Sequence, residues 1–359
     1  MGQRVMVMAG GTGGHVFPAL AVAEWLREQG AELIWLGTRN SFESRVVPEQ
    51  GIEMEWLDIK GVRGTGLLRR LMAPFQLLRA LFQAMRVIRR IRPTVVLGMG
   101  GFVSGPGGLM AALMGIPLVI QEQNRIPGLT NRLLSRIAHR VFEAFPGSFD
   151  SVEAEACGNP VRREIEMIAP PEQRFAGRSA PMRLLIIGGS LGAQALNETV
   201  PAALALLAES IRPVVRHQCG VNHVAATEAA YRDANVEAEI HPFEEDMAEA
   251  YSWADLVICR AGALTVSELA AAGLAAVMVP YPHAVDDHQT LNAHFLVDAG
   301  AALLMPQREM DAQRLSEALK RLFEQPSYLR DMSVIARTLA KPAAAACVGR
   351  ACLQVGIER

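Results

Sequence analysis

The chain has 359 residues, half of them hydrophobic and a fifth charged, which is enough for two globular domains with cores of their own. This composition excludes an intrinsically disordered protein, and a net charge of −2 argues against a general nucleic-acid binder. The five cysteines show neither a CxxC pair nor the spacing of metal ligands. They therefore predict a reducing compartment without a disulfide framework.

The chain opens on a predicted strand followed by a glycine loop. Apolar residues 5–9 indicate a buried parallel strand, and four glycines among residues 10–14 allow a sharp turn and a close approach to a ligand. Pro18 suits the first turn of the next helix, which we expect to end near Gly30. A strand, a glycine turn and a helix N-terminus form an anion site, and His15 adds an ionisable side chain at its mouth.

The next elements alternate between short apolar runs and helical segments, as in a parallel α/β sheet. Strands are predicted at Glu32–Leu36 and near Met54–Ile59, with a helix between them. Residues 59–121 then carry nine basic and no acidic residues, so positive charge is strongly segregated.

Within this basic region, a helix is predicted from Pro74 to Ile91, with an apolar arc wider than one core-facing side needs. One interpretation is a helix packed on two neighbours with a solvated basic edge. The alternative is a membrane-surface patch, in which apolar side chains enter the interface and arginines meet anionic headgroups. The residues of that candidate patch are Phe75, Leu78, Arg79, Phe82, Met85 and Arg86.

The uncharged stretch Pro93–Gln121 is long enough to suggest a membrane span, but its seven glycines and three prolines argue against one. We predict instead a strand at Val95–Leu97, a glycine loop, a short helix at Leu109–Met114 and a strand at Leu118–Gln121. Polar residues 122–124 follow the last strand, where open α/β sheets bind ligands.

A Pro- and charge-rich stretch after residues 158–162 marks a domain boundary, and a second strand followed by a glycine loop comes after it. The strand at Leu184–Ile187 runs into Gly188-Gly189-Ser190-Leu191-Gly192, which matches the loop at residues 10–14 in kind and position. Two similar doubly wound α/β domains are predicted.

The second half contains a third small-residue turn, after a strand at Asp255–Cys259. Thr265 and Ser267 are placed to cap the next helix or to bind an anion, and Glu268 is expected in its first turn. Glu268 either favours the helix N-terminus electrostatically or accepts hydrogen bonds from a ribose diol. After a strand at Ala276–Pro280, the polar loop 281–289 has no convincing metal-ligand spacing, and a helix from Ala343 ends the fold.

Six of these motifs occur together in one order. They resemble those of glycosyltransferase family 28, and in particular of the bacterial transferases that add N-acetylglucosamine (GlcNAc) to lipid I to make lipid II. The motifs are Gly10-Gly11-Thr12-Gly13-Gly14-His15, Gly98-Met99-Gly100-Gly101, Glu122-Gln123-Asn124, Gly158-Asn159-Pro160-Val161-Arg162, Gly188-Gly189-Ser190 and Gly262-Ala263-Leu264-Thr265-Val266-Ser267-Glu268.

The resemblance implies an α/β GT-B fold, with two Rossmann-like doubly wound domains facing across a cleft. Residues 1–162 plus 342–359 would form the acceptor and membrane-facing domain, and residues 163–341 the UDP-GlcNAc-binding domain. It implies inverting transfer of GlcNAc from UDP-GlcNAc to the muramyl 4-hydroxyl of lipid I, with no cofactor or catalytic metal. It also implies peripheral binding to an anionic membrane on its cytoplasmic face, and it implies no nucleic-acid partner. Partners among cell-wall synthesis proteins stay open.

The resemblance also assigns roles to individual residues. Thr12, Gly13, Gly14 and Asn124 would contact the donor sugar, and Arg162 and Ser190 the donor diphosphate. The turn of Ala263, Leu264, Thr265, Val266, Ser267 and Glu268 would hold phosphates and ribose, with Glu268 on the ribose hydroxyls. Glu244 would read uracil through its backbone only, and Gln289 and His288 are matched to the donor-binding loop.

His15 is the candidate general base, because an unperturbed imidazole titrates near ~6.5 and accepts a proton at neutral pH. Two alternatives stay open at this point: a hydrogen bond to the acceptor diphosphate, or a structural role. Glu122 is the reserve base. Rival functions are another UDP-sugar GT-B enzyme (a glycolipid glycosyltransferase or a UDP-GlcNAc 2-epimerase), a nicotinamide-dependent oxidoreductase, and a non-catalytic membrane scaffold. The oxidoreductase is disfavoured because the first loop lacks GxGxxG and no acidic residue ends the second strand.

Overall fold

The computed structural model describes residues 2–59, 67–178, 181–189 and 192–357, without the side chains of residues 67–73 and 285. The chain folds into two compact units. Unit 1 comprises Met1–Arg162 with Lys341–Arg359, and unit 2 comprises Arg163–Ala340.

Both units alternate strands with helices. The strands are β1 (Arg4–Met8), β2 (Glu32–Thr38), β3 (Glu53–Leu57), β4 (Val95–Gly98), β5 (Leu118–Glu122), β6 (Arg140–Glu143), β7 (Glu155–Ala156), β8 (Arg183–Ile187), β9 (Val214–Gln218), β10 (Glu239–His241), β11 (Leu256–Cys259), β12 (Ala275–Met278) and β13 (Ala302–Leu304). The helices are α1 (Gly13–Glu28), α2 (Glu43–Glu49), α3 (Leu67–Ile91), α4 (Ser104–Leu113), α5 (Leu129–Leu134), α6 (Arg163–Glu166), α7 (Pro171–Arg174), α8 (Gln194–Ala205), α9 (Val224–Asp233), α10 (Met247–Trp253), α11 (Ala263–Ala272), α12 (His288–Val297), α13 (Ala312–Phe323), α14 (Pro326–Thr338) and α15 (Ala344–Ile357).

Unit 1 is built on a parallel seven-stranded sheet in the order β3-β2-β1-β4-β5-β6-β7. Side chains alternate along β1, so Val5 and Val7 join a core with residues of α1 and α15, whereas Met6 and Met8 join a core with residues of α3, α4 and α5. The sheet is therefore covered by helices on both faces, as the sequence predicts for a doubly wound domain.

The C-terminal helix α15 belongs to this first unit. It packs against α1, where a side chain on Gly349 would collide with the ring of Trp25. Gln3, just before β1, also donates a hydrogen bond to the backbone oxygen of Leu353 at 2.7 Å.

Three predicted helix starts in unit 1 are wrong. Helix α3 begins at Leu67 rather than at Pro74, which lies inside it. Helix α1 begins at Gly13, five residues before Pro18, so His15 lies in its first turn. Helix α4 begins at Ser104 rather than Leu109. Its glycines allow close packing, because a Cβ on Gly108 would lie 2.7 Å from a methyl carbon of Leu134. Tertiary packing therefore overrides the low helix propensity of glycine in α4.

Unit 2 repeats the arrangement with a parallel six-stranded sheet in the order β10-β9-β8-β11-β12-β13. Leu184 and Ile186 of β8 join a core that includes residues of α8, α13 and α14. In both sheets the chain order reverses beside the first strand, between β1 and β4 and between β8 and β11. The prediction of two similar doubly wound domains is confirmed.

None of the helices in the described ranges is both long and apolar enough to cross a membrane.

Candidate active site

The first glycine loop lies where the sheet of unit 1 reverses its order, between the carboxyl ends of β1 and β4. The loop after β4 meets it there, because a side chain on Gly101, whose φ is +86°, would collide with the backbone oxygen of Gly10. Only glycine permits this approach. The crevice beyond such strand ends is where open α/β sheets bind ligands.

Glu43 of α2 supports this loop from behind. Its side chain is fully buried, and its carboxylate accepts hydrogen bonds from Gly11 N (3.0 Å), Thr38 N (3.1 Å) and Thr38 Oγ1 (2.7 Å). Burial alone would raise the pKa of Glu43, but the hydrogen bonds outweigh it and hold the pKa below its ordinary value. Glu43 is thus an ionised anchor for the loop, and no motif in the sequence indicated it.

His15 lies in the first turn of α1 and is half-buried. Its Nδ1 is 2.7 Å from Gln123 Oε1, and its ring covers Gly100, where a Cβ would come within 2.8 Å of Nδ1. The amide groups of Gly13 and Gly14 precede the first intrahelical hydrogen bonds of α1. The predicted combination of a histidine with helix N-terminal amides is therefore present.

Glu122, the reserve base, ends β5 and is 1% exposed. Its Oε1 accepts from Asn124 N at 2.9 Å and Asn124 Nδ2 at 3.3 Å, and its Oε2 accepts from Gly128 N at 3.1 Å and Asn131 Nδ2 at 3.0 Å. A carboxylate with four donors and almost no exposure is suited to positioning Asn124 and the loop after it. This geometry favours His15 over Glu122 as the base.

Arg162, the last residue of unit 1, lies with its guanidinium carbon 4.9 Å from the centre of the Phe17 ring on α1. Phe17 in turn makes an edge-to-face contact with Phe42. This cation–π contact holds Arg162 beside the helix that begins at the glycine loop.

The glycine loop of unit 2 follows β8 and is supported by Gln218 of β9. Gln218 Oε1 accepts from Gly189 N at 3.2 Å, and its Nε2 donates to Gly189 O at 2.9 Å. Gly192 closes the loop at φ +75° against the backbone of Cys219. Ser190, expected at the donor diphosphate, lies outside the described residues.

Helix α11 begins at Ala263, so the small-residue turn does open a helix. Of the two roles open to Thr265 and Ser267, capping is not observed. Gly262 is the N-cap and no side chain caps it, while Ser267 Oγ donates back to Ala263 O at 3.1 Å. The backbone N–H groups of Leu264 and Thr265 precede the first intrahelical hydrogen bond, from Val266 N to Gly262 O.

Glu268 lies in the second turn of α11, not in the first. A charge placed there gains little from the helix N-terminus, because that effect fades beyond the first turn. The carboxylate is 4% exposed, and its Oε2 accepts from the Tyr251 hydroxyl at 3.1 Å. Tyr251 therefore positions the carboxylate, a role that the sequence did not reveal.

The other predicted donor-site residues follow β10 and β12. Glu244 comes three residues after β10, and burial raises the pKa of its half-buried carboxyl. His288 and Gln289 open α12, and Gln289 Oε1 accepts from Tyr281 N at 2.9 Å. Asp286 and Asp287 before them have φ values of 54° and 50°, a strained conformation for non-glycine residues that is common at functional sites. Among the side chains that the structure describes, no group of three or more His, Cys, Asp or Glu is arranged to hold a metal ion.

The residues of the predicted apolar arc lie on two faces of helix α3, one buried and one exposed. Ala80, Ala84, Val87 and Ile88 are buried against the sheet, whereas Phe75, Leu78 and Phe82 are 67%, 63% and 57% exposed. Arg79 pairs with Asp58 at 2.7 Å, Arg86 is exposed and Met85 is half-buried. One face of the helix therefore fits the core, and the other is an apolar surface that monomeric soluble proteins rarely show.

The neighbouring helices α4 and α5 extend this surface. They cover the same face of the sheet as α3, and α4 contacts both others. Leu113 of α4 and Leu129 and Leu133 of α5 are 71%, 61% and 54% exposed. Arg132 and Arg136 are exposed beside them. The sequence analysis missed these residues because neither short helix shows a long apolar pattern by itself.

Sequence profiles of a known family match both units. The glycosyltransferase family 28 N-terminal domain matches residues 5–143, and the family 28 C-terminal domain matches residues 183–346. The chain belongs to glycosyltransferase family 28. Its fold is the GT-B fold of two Rossmann-like doubly wound domains.

Individual relatives agree with this assignment. The chain is 56% identical to the UDP-N-acetylglucosamine--N-acetylmuramyl-(pentapeptide) pyrophosphoryl-undecaprenol N-acetylglucosamine transferase of Alkalilimnicola ehrlichii, over 99% of both chains. The crystal structure of Acinetobacter baumannii MurG has a TM-score of 0.85 and 47% identity, over 98% of this chain and 99% of that one. A UDP-GlcNAc 2-epimerase from Neisseria meningitidis, crystallised with UDP-GlcNAc, shares only the fold, with a TM-score of 0.67 and 14% identity over 99% of this chain and all of that one.

Proposed function

We propose that this protein transfers GlcNAc from UDP-GlcNAc to the muramyl 4-hydroxyl of lipid I, undecaprenyl-diphospho-MurNAc-pentapeptide, and so forms lipid II. The observation that carries this proposal is the full-length similarity, at 56% identity, to the N-acetylglucosamine transferase of Alkalilimnicola ehrlichii. The epimerase alternative has only a shared fold in its favour. The activity makes the protein a hexosyltransferase of cell-wall synthesis.

Unit 2 binds the donor in this proposal. The loop from Gly188 and the amides at the start of α11 face the diphosphate, with Ser190 and Arg162 as further contacts. Glu268, held by Tyr251, accepts hydrogen bonds from the ribose hydroxyls, which suits an acceptor-only carboxylate. The backbone at Glu244 reads uracil, and Gln289 and His288 bind the sugar-phosphate region.

Unit 1 carries the chemistry. The 4-hydroxyl attacks the anomeric carbon in line, the bond from that carbon to the diphosphate oxygen breaks with inversion, and UDP leaves. His15 takes the hydroxyl proton, while Thr12, Gly13, Gly14 and Asn124 hold the transferred sugar. The alternative role for His15 is a hydrogen bond to the acceptor diphosphate.

No metal or cofactor is needed in this scheme. Helix N-termini and Arg162 supply preorganised positive charge for the departing diphosphate, where electrostatic stabilisation is most effective. The proposal predicts unchanged turnover in EDTA.

The decisive experiment measures transfer of radiolabel from UDP-[¹⁴C]GlcNAc to a lipid I analogue. We expect a labelled disaccharide lipid and stoichiometric UDP. Formation of free UDP and 2-epimerised sugar without an acceptor would support the epimerase. Absence of any UDP-sugar reaction, together with tight NAD(P)H binding, would support the oxidoreductase. Vesicle binding with neither activity would leave the membrane scaffold.

We further propose that the exposed apolar faces of α3, α4 and α5 bind an anionic membrane, at the cytoplasmic face where the acceptor headgroup is presented. Phe75, Leu78, Phe82 and Leu113 would enter the interface, with Arg79 and Arg86 at its rim. This places the protein peripherally, next to its lipid-linked substrate.

The surface is tested by replacing Phe75, Phe82 and Arg86 with serine. We expect less co-flotation with anionic vesicles and unchanged transfer to a soluble acceptor analogue. Leu206→Ser on unit 2 removes a side chain that is 56% exposed and serves as the matched control. Unchanged flotation of the triple variant would refute the membrane assignment.

A further inference from the structure

A chain of buried amide side chains begins at His15. Its Nδ1 lies 2.7 Å from Gln123 Oε1, so one of the two atoms must donate a hydrogen. An amide oxygen only accepts, whereas an imidazole nitrogen either donates or accepts. The tautomer of His15 therefore follows from the orientation of the Gln123 amide, which has to be established from its other contacts.

The orientation of Gln123 is fixed by a backbone carbonyl. Gln123 Nε2 lies 3.2 Å from Gln121 O and 2.5 Å from Gln121 Oε1. A backbone oxygen cannot donate, so the group facing it must be the NH₂. Rotating the amide by half a turn would place oxygen against oxygen, and Oε1 is therefore the atom that faces His15.

Two further amides are fixed in the same way. Gln121 Nε2 lies within hydrogen-bond distance of three acceptors that share its two hydrogens, Glu122 O at 3.2 Å, Gly158 O at 3.3 Å and Asn159 Oδ1 at 3.2 Å. Asn159 Nδ2 donates to Gln123 O at 3.1 Å. Each amide nitrogen thus faces at least one backbone oxygen. The network leaves no alternative orientation for Gln121, and so none for Gln123.

The network is shielded from water. Gln121, Gln123 and Asn159 are 0%, 1% and 2% exposed, and they lie on β5, on the loop after β5 and on the loop after β7. Reversing one buried amide would leave several buried polar groups without hydrogen-bond partners, and each such group destabilises the folded protein. Buried networks that are satisfied in this way are rigid.

We propose that Gln121, Gln123 and Asn159 are positioning residues that hold neutral His15 as its Nδ1–H tautomer, leaving the Nε2 lone pair to accept the proton. The use of this tautomer rests on the proposed function, whereas the tautomer itself rests on the amide geometry alone. The described residues provide no hydrogen-bond partner for Nε2.

The tautomer determines which nitrogen acts as the base. In the Nε2–H tautomer, that nitrogen would donate a hydrogen bond to the acceptor hydroxyl and could not take its proton. In the Nδ1–H tautomer, Nε2 accepts the proton of the 4-hydroxyl, and the imidazolium keeps its hydrogen bond to Gln123 Oε1. Gln123 thus does for His15 what a carboxylate does in a Ser-His-Asp triad, but without a charge.

The tautomer can be measured without any activity assay. We would record ring ¹⁵N shifts of the ¹⁵N-histidine-labelled protein at pH 8, with His15 assigned by its loss in His15→Ala. We expect a pyrrole-like Nδ1 and a pyridine-like Nε2. The reverse pattern, or averaged shifts of two exchanging tautomers, would overturn the proposal. The tautomer is measured on the wild-type protein, and His15→Ala serves only to assign the resonances.

Kinetics test the use of the tautomer. Gln123→Met removes the acceptor, and we expect kcat to fall about 10- to 100-fold, part of the ~10²–10⁴ that a positioned base contributes. KM for UDP-GlcNAc should change less than threefold. Gln123→Glu places a carboxylate beside the imidazolium, and we expect the acidic limb of the kcat–pH profile to move to higher pH, which a merely structural role would not produce.

Gln3→Met is the matched control. It removes a half-buried amide of the same unit that donates to Leu353 O, on the far side from the loops, and should leave kcat and the pH profile unchanged. Unaltered kcat in Gln123→Met would refute the catalytic use of the Nδ1–H tautomer. If the wild-type protein transfers no GlcNAc, the proposed function fails, and the ¹⁵N shifts still decide the tautomer.

Discussion

The two glycine loops occupy the same position in two similar sheets but are supported by different chemistry. In unit 1, Gly11 N–H is held by the buried carboxylate of Glu43. In unit 2, both N–H and C=O of Gly189 are paired with the neutral amide of Gln218. The position of the glycine loop after the first strand is the same in both units, whereas the group behind it is charged in one unit and neutral in the other.

The difference in charge behind the two loops agrees with the ligand that we propose for each loop. A buried carboxylate behind the unit 2 loop would repel the donor diphosphate, whereas an amide satisfies the same backbone groups without a charge. Behind the unit 1 loop, negative charge is compatible with a transferred sugar, because glycosyl transfer develops positive charge at the anomeric carbon. The glycines of such a loop allow a ligand to approach the backbone closely. The charge of the side chain behind the loop then determines which ligand charge is favoured there.

The largest expected effect lies at His15, beside the first loop. His15→Ala should lower kcat by ~10²–10⁴, the contribution of a general base. KM for UDP-GlcNAc should hardly change if unit 2 binds the donor. His139→Ala, an exposed histidine of the same unit, is the control and should retain wild-type turnover. Near-normal turnover of His15→Ala at saturating acceptor would eliminate the base role.

Glu43→Gln tests the charged support. Glutamine has one accepting oxygen where the carboxylate serves Gly11 and Thr38 with two, and its NH₂ would face a donor. We expect a loss of roughly 1–3 kcal/mol in the free energy of unfolding, the cost of a buried unsatisfied group. A lower kcat should accompany it, because the loop beside His15 loses its anchor. Urea unfolding and steady-state kinetics measure both, and wild-type values in both would show that the charge is dispensable.

Much of the fold could be predicted from the sequence, because glycine turns and apolar strands are local patterns. Both glycine loops, the α/β class and the exposed apolar residues of α3 follow from them. The starts of α1 and α4 were wrong because Pro18 and the glycines of α4 were interpreted by local propensity, whereas packing on the sheet decided the helix limits.

The supports of the site were not predictable in the same way. Glu43 lies 32 residues after Gly11, and Gln218 lies 29 residues after Gly189, so each contact exists only once the strands are ordered in the sheet. Gln123 belonged to a recognised motif, but its orienting contact with His15 spans 108 residues. The motifs that carry the family resemblance identified the groups proposed to touch substrate, whereas the groups that hold them required the tertiary structure.

The pH dependence of stability should also reveal a buried histidine of unit 2. His217 of unit 2 is fully buried, and burial lowers its pKa to about 3. The unfolded chain binds a proton below about 6.5, so the neutral native histidine costs about 2 kcal/mol of stability between pH 7 and pH 5. Glu43 has a lowered pKa, so its contribution is retained above the ordinary carboxyl range and is lost only as the pH falls through its native value.

Native-state hydrogen exchange at pH 7 and pH 5 would measure the contribution of His217. We expect β8 and β11 to lose more protection in the wild-type protein than in His217→Gln, which lacks the titrating group. The variant is the reference because burial raises the pKa of Glu166 in the same unit to about 7, which stabilises unit 2 over the same pH range. The comparison of pH dependence holds even if the variant is less stable overall, and equal losses in both proteins would contradict the assignment to His217.

The smallest expected effect comes from converting the neutral support into a charged one. Gln218→Glu replaces the Nε2 that donates to Gly189 O with a second oxygen, and it adds negative charge behind the loop proposed to hold the diphosphate. We expect KM for UDP-GlcNAc to rise roughly tenfold, about 1.4 kcal/mol, with kcat within threefold of wild type. Gln218→Met removes the same hydrogen bonds without adding charge, so a smaller rise in this variant would isolate the electrostatic part. Equal KM values for the two variants would show that the neutral support matters for the shape of the loop, and that its charge is irrelevant to the donor.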